Sequence, residues 1–559
     1  MKKSIHLVWY KRDLRLHDHA PLTAALRAAE NPDGGHPSKA GSYVIPLYVI
    51  EPEYWALPTL SRRHWHFVHD CLSGLKHDLQ QINGDLVIRK GDMLARLNNL
   101  RNLFSIKGIY AHEETGCGWT FERDKKVRGW AADKGIPFHE FPSNGVVRGL
   151  KDRDGWARIR NKRMAQAPLS APCEIPFPSG LDSGELPDRN DDFFGAGIPG
   201  NVQPGGIVEG KKILESFLND RGRNYIRYIS KPGASEKFCS RLSPFLTWGV
   251  FSSRHVLQEI SVAKKALQDA GKDAGQTMGQ GSSPASWRKS MNAMSSRLSW
   301  RCHFIQKLED SPAIEYKCMH PGFENLRRED PDPAYLEAWS SGQTGYPLID
   351  ACMRFLREKG WITFRMRAML VSFASYHLWL DWRVTGKILA RRFTDYEPGI
   401  HYSQLQMQSG VTGINTLRIY NPTKQAKDHD PDGKFIRQWV PELCNVPDEF
   451  LFEPWTLQNN FEELYGFKPG KDYPLPIVDH KQAIASARQK ISEVRKSSEY
   501  WTQAKAVYQK LGSRKRSFAQ RRSPEKAGKS GSADQKNAYK RKSSKSKTGS
   551  QSQLSFFED

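Results

Sequence analysis

The chain of 559 residues is too long for one compact core, and with 38% hydrophobic and 11% aromatic residues it can bury two or three. A formal net charge of +23 points to a polyanionic partner, most often nucleic acid, with plain colloidal solubility as the alternative. Eight Cys without a C-x-x-C pair argue against a zinc ribbon or iron–sulfur cluster, no metal site is expected, and no apolar run is long enough to span a membrane.

The opening MKKSIHLVWYKRDLR is charged and strand-like, without the apolar stretch of a secretory signal, so a cytoplasmic protein is expected. From Lys3 to about Phe141 the runs IHLVWY, YVIPLYVI, DLVIRKG, IKGIYAH and IPFHEF read as buried strands. Helical patterns such as PLTAALRAA and TFERDKKVRGWAADKG lie between them, so residues 1–178 form an α/β domain with a doubly wound parallel sheet. There is no G-x-G-x-x-G and no Walker A, so the sheet carries no fingerprinted dinucleotide or ATP site. Residues 179–210, rich in Gly, Pro and Asp, read as an interdomain linker. Residues 211–511 are helical in almost every segment and predict a large all-α domain, interrupted by the flexible loop GKDAGQTMGQGSSPAS. After Gly512 the composition turns to Lys, Ser, Gly and Gln, and residues 512–559 read as a disordered basic tail. Between Arg514 and Lys547 thirteen Lys and Arg face two acids, so nearly half of the net charge sits there.

The chemistry-bearing groupings lie in the helical region. SRLSPFLTWG places Ser240 and Ser243 at capping spacing beside Arg241, which makes either an anion site at a helix N-terminus or a simple cap. WRCHF, TGYPLIDACMRFL, GWITFRMRAM and RIYNPTKQAKDHDPDGKFIRQWVPEL follow. Arg365 and Arg367 sit in an apolar helical run and need acids or phosphates, with Asp395 as one partner for a binding pair or a purely structural ion pair.

Five of these segments, WYKRDLRLHDHAPL, SRLSPFLTWGVFSSRHV, TGYPLIDACMRFLREKGWI, RIYNPTKQ and KFIRQWVPEL, occur in the order that resembles the photolyase/cryptochrome family. The resemblance spans roughly residues 3 to 510 and implies an α/β antenna domain followed by a helical domain holding non-covalent FAD. On matching positions, Tyr228, Ser240, Arg241, Leu242 and Ser243 would hold the cofactor's phosphates, with Arg367 and Asp395 as the polar pair beside the flavin. Trp300, Arg301, Arg365 and Gln425 would face DNA at the mouth of the cavity. The implied activity is light-driven electron transfer from reduced FAD to a flipped pyrimidine dimer in UV-damaged DNA, carried out by a nucleoid-associated monomer. The rival readings are a cryptochrome-like blue-light photoreceptor and repair of a different photolesion such as the (6-4) product. HEETGCGWTFERD resembles the loop bordering a second, antenna chromophore, and leaves folate, deazaflavin, ribityl lumazine or none open.

Several positions depart from the family pattern. Arg297 stands where cyclobutane-dimer enzymes carry a lesion-binding Glu. Counting back from Asn421, the proximal electron-relay Trp falls at Ser403, a lesion-stacking Trp at Leu405 and a flavin-side Asn at Gly399, while Glu329 takes the distal relay place. Trp382 matches the middle relay Trp, so a rerouted relay would use Trp382 with Tyr402, Trp379 or Tyr376. At the chain end, Gln553, Leu554, Ser555, Phe556 and Phe557 resemble the peptide by which bacterial repair proteins dock on the sliding clamp; an accidental apolar terminus is the alternative.

Overall fold

A computed structural model describes residues 2–30, 42–195, 200–273, 284–457 and 461–513. The five apolar runs near the N-terminus form β1 (Ser4–Tyr10), β2 (Tyr43–Ile50), β3 (Val87–Lys90), β4 (Ser105–His112) and β5 (Phe138–Phe141). Every pairing is parallel and the order is β3-β2-β1-β4-β5. Helices cover both faces, which is why β1 and β2 are apolar almost throughout rather than alternating. Pro46 lies within β2 without breaking it. Val44, on the same side two residues earlier, sends its N–H to the Pro176 carbonyl at 2.8 Å, and pairing with β3 begins only at Leu47. The donor that Pro46 lacks therefore faces a stretch with no ladder partner.

The chain order reverses between β1 and β4, so the loops after these two strands, Lys11–Asp13 and Glu113–Thr115, meet at the switch point of the sheet. The linker region is anchored rather than free: Phe194 is buried and stacks on Trp65, with ring centroids 3.7 Å apart. Beyond it the chain is helical, and its core is continuous with one face of the sheet domain. The two domains touch closely at Gly249, whose positive φ of 70° and place 2.1 Å from the Arg12 carbonyl (measured from an added Cβ) admit no side chain. Leu14 N–H bonds the Trp248 carbonyl at 3.2 Å across the same seam.

The segment TFRMRAMLVSFASYHLWL reads as one helix in sequence, but helix Phe364–Ser372 passes into a wider π turn at Phe373–His377 and ends at Trp379, whose φ is +54°. Arg327 reaches in there, donating from Nε to the Ser375 carbonyl at 3.0 Å and from Nη2 to the Ser409 carbonyl at 3.1 Å. Long-range bonds to these carbonyls accompany the wider turn. The basic tail and its terminal Gln553–Phe557 lie outside the described residues.

Candidate functional site

A cavity of about 270 Å³ opens between the segment before helix Ser243–Thr247 and helices Pro284–Asp310, Phe364–Ser372 and Pro398–Ser409. Ser240, Arg241 and Ser243 form part of its wall. Arg241 holds a left-handed φ of +59°, unusual for a residue with a side chain and costing about 1–2 kcal/mol. That backbone is fixed by Gln203, whose Nε2 donates to the Arg241 carbonyl at 3.0 Å. The guanidinium lies on the face of Trp361, 4.3 Å from the ring centre, and its buried Nη1 has no partner within the protein. Burial lowers its pKa to about 10. A buried, unsatisfied cation facing a cavity is arranged to receive an anion.

Next to Ser243, Arg367 Nη2 grips both oxygens of Asp395, at 3.0 and 2.8 Å, while its Nε donates to the Ile362 carbonyl at 2.9 Å. Burial pushes the Asp395 carboxyl up, but Arg367 and a hydrogen bond from Ser243 more than offset it, leaving it below its ordinary value. Arg297 lines the wall next to Tyr225, to which it is hydrogen bonded, and burial lowers its pKa. The pair and the Arg241 segment thus adjoin on a wall able to hold a molecule with an anionic group and a polar ring.

Of the residues singled out in sequence, Ser240, Arg241, Ser243, Arg297, Arg367 and Asp395 meet on this wall. Leu242 is fully buried beneath it. Tyr228 stands off the wall, stacked on Phe238 at 4.5 Å, and Tyr225 one turn earlier takes the lining position. Arg365 is half-buried, with Asp428 and Arg418 among its charged neighbours, and Gln425 is buried with its Oε1 unpartnered. Burial and the neighbouring Arg365 lower His429 to about 4, so this region stays cationic through its arginines. Trp300 packs on Phe304 and His303, on the side of its helix toward Arg153 and Trp156. Arg301 is a correction to the expectation that it faces DNA: its Nη2 bonds Glu397 at 2.6 Å and the Leu246 carbonyl at 3.0 Å, inside the seam between domains. Gly399 offers no flavin-side group, since an added Cβ would lie 2.6 Å from Ile305 Cα in the facing helix. Sequence reading missed Tyr225, Trp361, Tyr396, His401, Gln404 and Gln408, all on the wall. Only the polar i, i+4 spacing of the two glutamines could have signalled any of them.

Comparison with known proteins accounts for this arrangement. The family model described as DNA photolyase matches residues 6–151, and that of the FAD binding domain of DNA photolyase matches residues 294–493. The deoxyribodipyrimidine photo-lyase of Alkalihalophilus pseudofirmus is 27% identical over 501 residues, covering 86% of this chain and 96% of the relative. Cryptochrome DASH of Gloeobacter violaceus is 25% identical and covers 86% of this chain and 94% of its own. The crystal structure of a bacterial class III photolyase from Agrobacterium tumefaciens superposes with a TM-score of 0.73 at 25% identity, covering 89% of this chain and 99% of the other. The chain belongs to the photolyase/cryptochrome family. The cavity lies in its FAD-binding domain, and the unpartnered Arg241 Nη1 and the Arg367–Asp395 pair fit a dinucleotide carrying phosphates and a polar ring.

Two further features matter to a photolyase. The first is an aromatic ladder. Tyr396 is on the cavity wall, its hydroxyl donates to that of Tyr402 at 3.3 Å, and the Tyr402 ring centre is 6.3 Å from that of Trp382. Ser403, at the proximal relay position, is buried with an unpartnered hydroxyl. Trp379 is less suited to losing an electron, because Arg327 and Lys490 lie over its ring at 4.4 and 4.5 Å. Trp382 also has a guanidinium nearby, Arg383 at 4.8 Å, but Asp381 and Glu324 neutralise that charge.

The second is the switch-point crevice of the sheet domain, where the chain's own side chains fill the space. Arg123 bonds Glu51 at 2.8 Å, Glu114 at 3.3 Å and Asp124 at 2.9 Å, while Lys11 bonds Asp124 at 2.5 Å. Lys11 and Arg123 both lie over the Trp9 ring, at 4.6 and 4.7 Å. Asp13, His19 and His112 have the grouping of a metal site, but His19 Nε2 and His112 Nδ1 both bond Asp13 Oδ2, at 2.9 and 2.6 Å. His19 Nδ1 accepts from the Leu22 N–H, so its other nitrogen carries a proton. About 40 Å³ remains open beside this network, room for a few waters.

Proposed function

We propose that this chain is a light-driven, FAD-dependent deoxyribodipyrimidine photolyase. The observation that carries it is the family's FAD-binding domain enclosing a cavity whose wall holds both an arginine with an unpartnered nitrogen and the Arg367–Asp395 pair. Arg241, Ser240 and Ser243 hold the cofactor's phosphates, and the pair orients its ring system. When bound and reduced, FAD supplies on blue-light excitation the electron that splits a pyrimidine dimer. Arg365 and Gln425 meet the DNA backbone and the displaced lesion, which is cheap to flip because it is already poorly stacked. Tyr396, Tyr402 and Trp382 provide the chain's own path for moving an electron between the cavity wall and the exterior.

The test is light-dependent repair by reduced protein of oligonucleotides carrying either a cyclobutane dimer or a (6-4) product. Light-dependent loss of the cyclobutane dimer is expected. Repair of the (6-4) product alone, or of neither, moves the chain to the second reading, a different lesion or a cryptochrome-like photoreceptor. Arg297, Ser403 and Leu405, departing from the dimer-repair pattern, favour that reading.

We further propose that the protein works as a monomer at the cytoplasmic nucleoid and that residues 514–547 bind phosphate without sequence preference. Deleting 512–559 should then flatten the salt dependence of DNA binding and leave lesion discrimination unchanged. Gln553, Leu554, Phe556 and Phe557 are proposed to dock on the bacterial sliding clamp, the apolar residues filling a pocket and the long tether raising local concentration. A labelled peptide of the last dozen residues should bind clamp at micromolar Kd and lose binding on triple replacement of Leu554, Phe556 and Phe557 by Ala. As for an antenna, folate, deazaflavin and lumazine all exceed the space left in the switch-point crevice, and we propose that none sits there.

A further inference from the structure

Helix Pro398–Ser409 carries two cavity-facing side chains that the reading above does not use. Gln404 and Gln408, one turn apart, both line the cavity, and none of their four amide atoms has a partner within the protein. Gln408 is 1% exposed. Their neighbour Gln406 shows what packing does with a structural amide on the same helix. Its Oε1 accepts from Met319 N–H at 2.6 Å and its Nε2 donates to the Ile314 and Lys317 carbonyls at 2.9 and 2.8 Å. Packing therefore satisfies the amide that faces inward and leaves open the two that face the cavity. Buried polar groups are rarely left so without a role.

The wall around them narrows what they can hold. Leu405, Val371, Ala368 and Leu389 are apolar, so no protein group competes for the amides. Among the fully buried side-chain atoms of the wall, the others without partners are Arg241 Nη1 and Glu397 Oε1. The arginines only donate, and Asp395 is spent on Arg367 and Ser243. A carboxamide sets a donor beside an acceptor, and its complement is an acceptor beside a donor. A phosphate or an apolar ring lacks that pattern; the edge of a cyclic imide, C(=O)–N(H)–C(=O), has it.

We propose that Gln404 and Gln408 are positioning residues that hold an imide edge in the cavity, each amide donating to a ring carbonyl or accepting from the imide N–H. The inference rests on the photolyase reading, because the flavin ring and a thymine that this reading brings to the cavity carry such an edge; the adenine of FAD also pairs with carboxamides, and the N3-methylated probes below separate it from the imide.

The test uses full-length protein with Gln404→Leu, Gln408→Leu and the double variant, the shape-preserving change that removes only the polar atoms. Melting temperature is measured first. Since Leu removes unpaired buried groups, the variants should fold at least as stably as wild type, and Gln408→Met serves if Gln408→Leu does not fold. Two affinities are then compared, that of apoprotein for FAD and that of holoprotein in the dark for a thymine-dimer oligonucleotide. A loss of roughly tenfold or more confined to FAD assigns the pair to the cofactor, and one confined to the oligonucleotide assigns it to the base. Flavin or thymine methylated at N3 should cost wild type a similar factor and cost the matching variant little more. If the double variant keeps both affinities within about twofold, the amides hold only water and the proposal falls. Wild-type apoprotein that binds no FAD at all would overturn the photolyase reading itself, and this proposal with it.

Discussion

The FAD-domain cavity and the switch-point crevice are both clefts lined by charged and polar residues at places where folds of this kind hold ligands, yet their bonding is opposite. In the cavity, Arg241, Gln404 and Gln408 keep buried polar atoms without partners around some 270 Å³ of space. In the crevice, Lys11 and Arg123 satisfy Asp124, His19 and His112 satisfy Asp13, and about 40 Å³ remains. A ligand site shows itself by what its own residues leave undone. Charges that complete each other are architecture, because a ligand would have to replace interactions already made at full strength in a low dielectric.

Breaking the crevice should give the largest effect on stability. Arg123→Gln leaves Glu51, Glu114 and Asp124 buried around a missing cation and should cost about 3–5 kcal/mol in urea unfolding. Bound FAD per folded chain should stay at the wild-type level; a fall in FAD content with no change in stability would show the crevice to be a ligand site instead. In the cavity the balance should reverse. Arg241→Ala removes an unsatisfied cation and leaves the left-handed backbone as it is, since Ala also carries a Cβ, so FAD affinity should fall by about two orders of magnitude while stability of the apoprotein changes little. Apoprotein unfolding monitored beside flavin titration separates the two.

A smaller effect sharpens the contrast along the aromatic ladder. Trp382→Phe and Tyr402→Phe should each slow light-driven reduction of the bound flavin by roughly tenfold, while repair by chemically reduced protein is unchanged. Trp379→Phe should leave both rates alone, and a slow Trp379→Phe variant would redirect the path. The smallest expected effect lies at the seam between domains. Burial would raise the Asp18 pKa, but hydrogen bonds from Arg254, Ser252 and Leu169 N–H lower it to about 2. The folded value lies below the unfolded one, so the stability that Asp18 lends is complete above pH 4 or so and is lost as pH falls toward 2. Asp18→Asn should melt below wild type at neutral pH and converge with it near pH 2.

By itself the sequence determined the parts whose physics is local. Strands buried on both faces must be apolar runs, so all five were readable, and parallel pairing followed from the helices between them. The segment around Ser240, Arg241 and Ser243 was readable because capping and anion binding need those residues at that spacing. Tertiary structure decided the rest. Arg301 follows Trp300 directly, yet neighbours on a helix point about 100° apart, and Glu397 from another element claimed the guanidinium. Phe194 lies in a stretch rich in Gly and Pro that reads as linker, and only the Trp65 face made it an anchor. Gln404, Gln406 and Gln408 are chemically alike and alternate along five residues of one helix. Which of them is structural and which two face the cavity depends on what lies opposite, and those neighbours come from segments far away in the chain.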